Sequence, residues 1–168
     1  MHHVELFRGS NTGRLAVRIL EGAELRVRGG RRSGPLAPEP AGRRLLLFPS
    51  PNARVLSADD AAGPEPVVLV VPDGSWPQAR RVGHREALAH GAEPVSLPPG
   101  PPSRYTLRAI RRPGAVCTFE AIARALTVLE GPAIEARMLP VLDEFLRRFE
   151  HARQGRVAGA VGPRAAQG

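Results

Sequence analysis

The chain has 168 residues, 42% of them hydrophobic, with a net charge of +8; it is long enough to bury the core of one domain and too apolar to be mainly disordered. Its single cysteine, Cys117, excludes an internal disulfide and a cysteine-cluster metal site and suits a reducing cytoplasm. No apolar run approaches the roughly 20 residues of a membrane span, and the N-terminus lacks a basic-then-apolar export signal. All 24 basic residues are arginine. The excess either marks a polyanionic partner, RNA or DNA first, or follows from a GC-rich coding sequence.

Residues 10–25, SNTGRLAVRILEGAEL, read as a helix capped by Ser10 or Asn11, with Leu15, Ile19 and Leu20 at helical spacing. A short strand is predicted over 25–30 and a Pro/Gly/Arg-rich loop over 31–44. RLLLFP, 44–49, is a compact apolar run and predicts a buried strand; 52–66 predict a short helical turn and a loop. VVLVVP, 67–72, is β-branched and uninterrupted, the pattern of a central parallel strand. A helix follows over 77–91, with Pro77 in its first turn and Gly91 at its end.

PVSL, 94–97, predicts a short strand, and 98–114 an irregular stretch holding an extended YTLRAI. CTFEAIARALTVLEG, 117–131, is the strongest helix signal, with Thr118 as cap, Glu120 in the first turn and an apolar stripe of Phe119, Ile122, Ala123, Leu126 and Leu129. A second helical region over 133–154 is broken at Pro140, and 155–168 read as a frayed tail beyond a domain spanning 1–154. Strands alternating with helices define an α/β class, a mostly parallel sheet with flanking helices.

Sites in such sheets lie beyond the carboxyl ends of the strands. Asp73 stands there, followed by Gly74, Ser75 and Trp76, the only tryptophan. Asp73 and Ser75 either form a site or cap the next helix. Phe48, Pro49 and Ser50 end another strand, and Tyr105, Arg108, Thr118 and Glu120 sit on segments that can reach the same edge. No metal ligand set is predicted: His2, His3, His84, His90 and His151 are scattered, and His84 and His90 read as surface residues. There is no Walker loop, and no helix follows the glycines of 30–42 to make a dinucleotide fingerprint.

In order along residues 1–131 stand His2 and Glu5 with SNTGRL, then LLLFPS, DGSWPQA, YTLR and TFEA. This series resembles the DTW-domain family of tRNA-uridine aminocarboxypropyltransferases. Ser75 stands where the family usually has Thr, so the hydroxyl is kept. Many members carry a Cys-rich zinc-binding segment upstream; this chain begins at the His-x-x-Glu stretch and is expected to lack it. The resemblance implies S-adenosylmethionine as donor, N3 of a tRNA uridine as acceptor and methylthioadenosine as by-product. It also implies similarity to the SPOUT-type knotted α/β enzymes, with residues 97–131 threading the knot.

With that reaction in view, Asp73 is the candidate base. Phe48, Pro49, Ser50, Pro72, Leu97 and Pro98 are candidate donor contacts, and Tyr105, Arg108, Thr118 and Glu120 candidates for the donor's amino-acid end. Arg108 suits its carboxylate and Glu120 its ammonium. Ser10, Asn11, Thr12, Ser75 and Trp76 are candidate substrate contacts, with Trp76 either walling the donor pocket or packing under the Asp73 turn. Arg80, Arg81, Arg85, Arg111 and Arg112 are candidate phosphate contacts. Two other readings remain: an RNA methyltransferase using the same donor, and a non-catalytic RNA-binding member.

Overall fold

The computed structural model describes residues 1, 5, 7–27, 38, 40–85, 91–108 and 113–160, with 82–85 and 156–160 described by backbone alone. The expectations for 28–37 and for His2, His3, His90, Arg111 and Arg112 fall outside these residues, as do those for the side chains of His84 and Arg85. The elements run α1 Gly13–Ile19, β1 Arg43–Leu47, β2 Arg54–Val55, a 3-10 turn Ala58–Ala61, β3 Val67–Val70, α2 Trp76–Arg85, β4 Glu93–Ser96, α3 Thr118–Glu130 and α4 Ala133–Ala160. Among the described residues four strands form one sheet in the order β2-β4-β1-β3, with their pairings parallel.

The apolar run of β1 lies at the centre of the sheet, paired with β3 on one side and β4 on the other. Leu45, Leu47, Val95 and Leu56 are buried from both directions, with Ala125 of α3 covering them. Residues 67–70 were expected at the centre, but β3 pairs only with β1 among the described residues, and all four of its residues are half-buried. β-Branched residues suit any pleated, half-buried surface and do not distinguish an edge from a centre. Pro94 is tolerated in an interior strand for a geometric reason. Val95 bonds toward β1 and Ser96 toward β2, so Pro94 faces the β2 side, one residue short of where β2 begins.

α3 is packed on two sides rather than one. Phe119 and Ala123 join Ala16, Met138 and Leu142 in a helix–helix core, while Ala121, Ala125, Val128 and Leu129 face the sheet core. The predicted stripe captured mainly the first of these faces. α4 continues through Pro140 and past Gln154, where a break was expected. Pro140 removes the bond to the Ala136 carbonyl, yet both residues are exposed, so water can satisfy that group. Met138 and Leu142 anchor the helix on either side of it.

α1 is shorter than expected because its flanks do other work: Leu20 closes on Ala16, and Gly22 turns the chain with φ +72°. Residues 25–27 form no strand; the Arg26 carbonyl instead accepts the Met1 ammonium at 2.7 Å. Residues 105–108 likewise form no strand, and bend at Leu107 and Arg108. β2 falls where only a turn and loop were foreseen. Among the described residues no helix is long and apolar enough to cross a membrane.

The β2 edge is tied down by charge. Asp60, nearly buried, accepts from Arg54 at 2.8 Å, from Arg43 at 3.2 Å and from the Ser57 N–H at 2.9 Å. Arg54 also meets Glu93 at 2.5 Å. Hydrogen bonds from Arg54 hold the Asp60 carboxyl well below the usual carboxylate range, and lower Glu93 in the same way. Asp60→Ala is expected to cost about 2 kcal/mol, less than a fully buried pair because both arginines are partly exposed. A group with a depressed folded pKa contributes fully above its unfolded value, about pH 4, and loses that contribution as pH falls. Urea unfolding should therefore show the gap between wild type and variant narrowing below about pH 4.

Candidate active site

Because β1, β3 and β4 are parallel, their carboxyl ends share one edge of the sheet. That edge gathers Phe48, Pro49 and Ser50 after β1, Pro72 and Asp73 after β3, and Leu97 and Pro98 after β4. The Trp76 ring, at the start of α2, packs on Phe48 with centroids 5.5 Å apart and planes tilted by 53°. Ser75 precedes α2, and its N–H and hydroxyl both donate to Gln78 Oε1, at 2.8 and 2.9 Å. The intervening turn needs Gly74, whose φ of +149° disfavours a side chain.

Asp73 turns toward the starts of α1 and α3. It is only 6% exposed. Its Oδ1 accepts the Thr118 hydroxyl at 2.6 Å, and its Oδ2 accepts the Asn11 amide at 2.8 Å. Gly13 abuts the carboxylate so closely that a Cβ there would lie 2.8 Å from both Cγ and Oδ2. Thr118 is thus the first residue of α3 and spends its hydroxyl on Asp73; Cys117 takes the capping position expected of Thr118.

A second network adjoins the first. Thr12 takes the N-cap position of α1, where Ser10 or Asn11 was expected, and Asn11 Oδ1 accepts the Arg14 N–H at 3.1 Å from one residue earlier. The Asn11 amide also lies 3.4 Å from Glu5 Oε2. Glu5, fully buried, receives both terminal nitrogens of Arg108 on that oxygen, at 3.3 and 3.2 Å. Its Oε1 is 3.3 Å from Arg8, close enough for an ion pair but not aligned as a hydrogen bond. Arg108 Nε donates to Ser10 Oγ at 3.0 Å, and the Tyr105 hydroxyl to the Ser10 carbonyl at 2.7 Å. Burial pushes the Tyr105 hydroxyl above its ordinary pKa.

Glu120 is 1% exposed and faces inward. It accepts the Ser103 hydroxyl, the Arg104 N–H at 2.6 Å and the Cys117 N–H at 3.0 Å. Burial and the nearby Glu120 charge push the Cys117 thiol up to about 12, so it is an inert thiol at neutral pH. Thr12 is buried, and its hydroxyl accepts the Phe119 N–H at 3.4 Å.

The structure therefore brings together Ser10, Asn11, Asp73, Tyr105, Arg108 and Thr118, with Phe48 and Trp76 in tilted contact at the same sheet edge. Arg80 and Arg81 are exposed on α2, Arg85 lies on the same helix, and Glu120 and Thr12 are turned into the interior. Sequence reasoning missed Gly13 and Gln78, and gave Glu5 no role beyond its place in the motif. A glycine directly after the SNT caps was the available signal for Gly13. Nothing local marks Glu5 as the partner of Arg108. A cleft of about 1100 Å³ opens beside β3, between α1, α3 and α4. Val70, Ala16, Ile122 and Met138 contribute to its apolar walls, and Asp73 and Thr118 also line it. Among the described residues no group of three or more His, Cys, Asp or Glu is placed to hold a metal ion.

These features define an α/β domain with a carboxylate at the sheet edge held by polar side chains from two separate segments, beside a second polar network. The chain belongs to the DTW-domain family: the family's model, the DTW domain, matches residues 1–150. It is 37% identical over 87 residues to tRNA-uridine aminocarboxypropyltransferase 2 of Drosophila melanogaster, a match covering 51% of this chain and 34% of that protein. The matched stretch is thus about a third of that relative's length. No solved structure matches the chain.

Proposed function

We propose that the protein transfers the 3-amino-3-carboxypropyl group of S-adenosylmethionine to N3 of a tRNA uridine, in the cytoplasm. The observation that carries this reading is the nearly buried Asp73 carboxylate, held by two donors and lining a cleft with both apolar and polar walls. The family membership and the name of the Drosophila relative support it. In the reaction, the uridine N3–H bond breaks and its proton passes to Asp73. The N3–Cγ bond forms as the Cγ–S bond breaks, and that electron pair returns to sulfur to leave neutral methylthioadenosine. The sulfonium is already a good leaving group, so the protein mainly supplies alignment and a base.

Within this reading, Phe48, Pro49, Ser50, Leu97 and Pro98 border the donor, and exposed Arg80 and Arg81 meet tRNA phosphates. The SPOUT-like threading of residues 97–131 is part of the same reading. Incubation with donor and tRNA, followed by mass spectrometry, tests it. The expected result is tRNA heavier by one aminocarboxypropyl group, with methylthioadenosine released. Asp73→Asn should lower the rate at least 100-fold, with melting temperature and donor affinity retained. S-adenosylhomocysteine as the product would replace this reading with methyl transfer. Equal inertness of wild type and variant, with donor still bound, would replace it with a non-catalytic RNA-binding role.

A further inference from the structure

We infer that Asn11 and Thr118 are positioning residues that act through Asp73 and are not themselves donor or uridine contacts. The inference rests on the function proposed above. An asparagine side chain has two N–H donors and one carbonyl acceptor. In Asn11 one N–H goes to Asp73 at 2.8 Å, the amide nitrogen also faces Glu5 at 3.4 Å, and the carbonyl accepts the Arg14 N–H at 3.1 Å. That last bond fixes which way the amide points. At 7% exposure, Asn11 has both its N–H donors engaged within the protein and keeps only a second lone pair on its carbonyl.

Thr118 has one hydroxyl proton, and it is given to Asp73 Oδ1 at 2.6 Å. The two carboxylate oxygens thus each receive one donor, from helix starts far apart in the chain. Gly13 closes a third side of the carboxylate. The side chain is pinned in two directions, while each oxygen keeps a further lone pair for an incoming proton. Alignment of that kind governs the rate of proton removal without governing how tightly substrates bind.

The test compares Thr118→Val, Thr118→Ser and Asp73→Asn, alone and combined, by steady-state transfer kinetics and by calorimetric titration with S-adenosylmethionine. In T118V kcat is expected to fall about 30-fold, with KM for tRNA and donor affinity within twofold of wild type. T118S should return kcat to within about threefold. Adding T118V to Asp73→Asn should lower the rate no further, because the positioned group is already gone. If T118V weakens donor binding tenfold with kcat kept, Thr118 is a donor contact and the inference fails while the proposed function stands. Unchanged kcat in T118V has the same consequence. An inactive wild type overturns both. Where T118V does not fold, Thr118→Ala read against T118S carries the same comparison, and Asn11→Ala repeats it from the other oxygen.

Discussion

Gly13→Ala is expected to lower the transfer rate by about 100-fold and to destabilise the protein by about 1–3 kcal/mol. Taken alone, helix propensity predicts the opposite sign: Ala at a helical position is better than Gly by about 1 kcal/mol. The close approach reverses it. A Cβ at Gly13 would stand 2.8 Å from Asp73 Cγ and Oδ2 and 3.1 Å from Oδ1, well inside van der Waals contact. Asp73 cannot swing aside cheaply, because Asn11 and Thr118 hold both oxygens. Either those hydrogen bonds break or α1 backs away, and both displace the carboxylate. Gly155→Ala serves as the control, since a Cβ there meets nothing within 4 Å and the site lies on a helix. Urea unfolding should show Gly155→Ala neutral or slightly stabilised and Gly13→Ala destabilised. A Gly13→Ala protein that is more stable than wild type and fully active would refute the contact.

Asp73 was legible because its signal is local. An apolar run ending in a Pro and an acid marks a strand's carboxyl end, and parallel sheets put their sites there. The same rule placed Phe48, Pro49, Ser50, Leu97 and Pro98 at the same edge. The resemblance then linked segments that no periodicity could link. What it could not supply was which side chain faces which. Arg108 was expected to bind a donor carboxylate, yet in the structure both its terminal nitrogens meet Glu5, a residue 103 positions away. Such pairings depend on how α1, the loop after β4 and the start of α3 converge, and that is a property of the packed molecule.

The errors about secondary structure have a common cause. Residues 67–70 read as central because β-branching reports a half-buried pleat, and β3 has that half-burial with Val67 and Leu69 packed on the sheet core, though among the described residues it pairs only with β1. The break expected at Pro140 did not occur because α4 is held to the core on both sides of an exposed proline. At Pro140 tertiary packing overrode a strong local preference, and in β3 it decided between an edge and a centre that local propensity does not tell apart.

Glu120→Ala should cost about 3 kcal/mol and lower transfer through loss of order rather than loss of donor binding. A buried carboxylate with no cation bonded to it among the described residues is tolerated here because three donors converge on it: the Ser103 hydroxyl, the Arg104 N–H and the Cys117 N–H. Two of the three are backbone groups, so their unmet bonding cannot be relieved by a rotamer change. Each stranded donor costs about 1–3 kcal/mol, partly offset because a desolvated charge is removed with the carboxylate. The carboxylate also ties the 103–105 loop, which carries Tyr105, to the first turn of α3, which carries Thr118. Glu120→Gln sharpens the reading. It keeps one acceptor oxygen but turns an NH2 toward a donor, and should cost about 1–2 kcal/mol. A Glu120 that instead held the donor's ammonium would give the reverse pattern, with unfolding unchanged and donor affinity reduced. Urea unfolding and calorimetric titration with S-adenosylmethionine, run on the same two variants, separate a clamp from a ligand contact. The inward orientation of Glu120 and its 1% exposure favour the clamp.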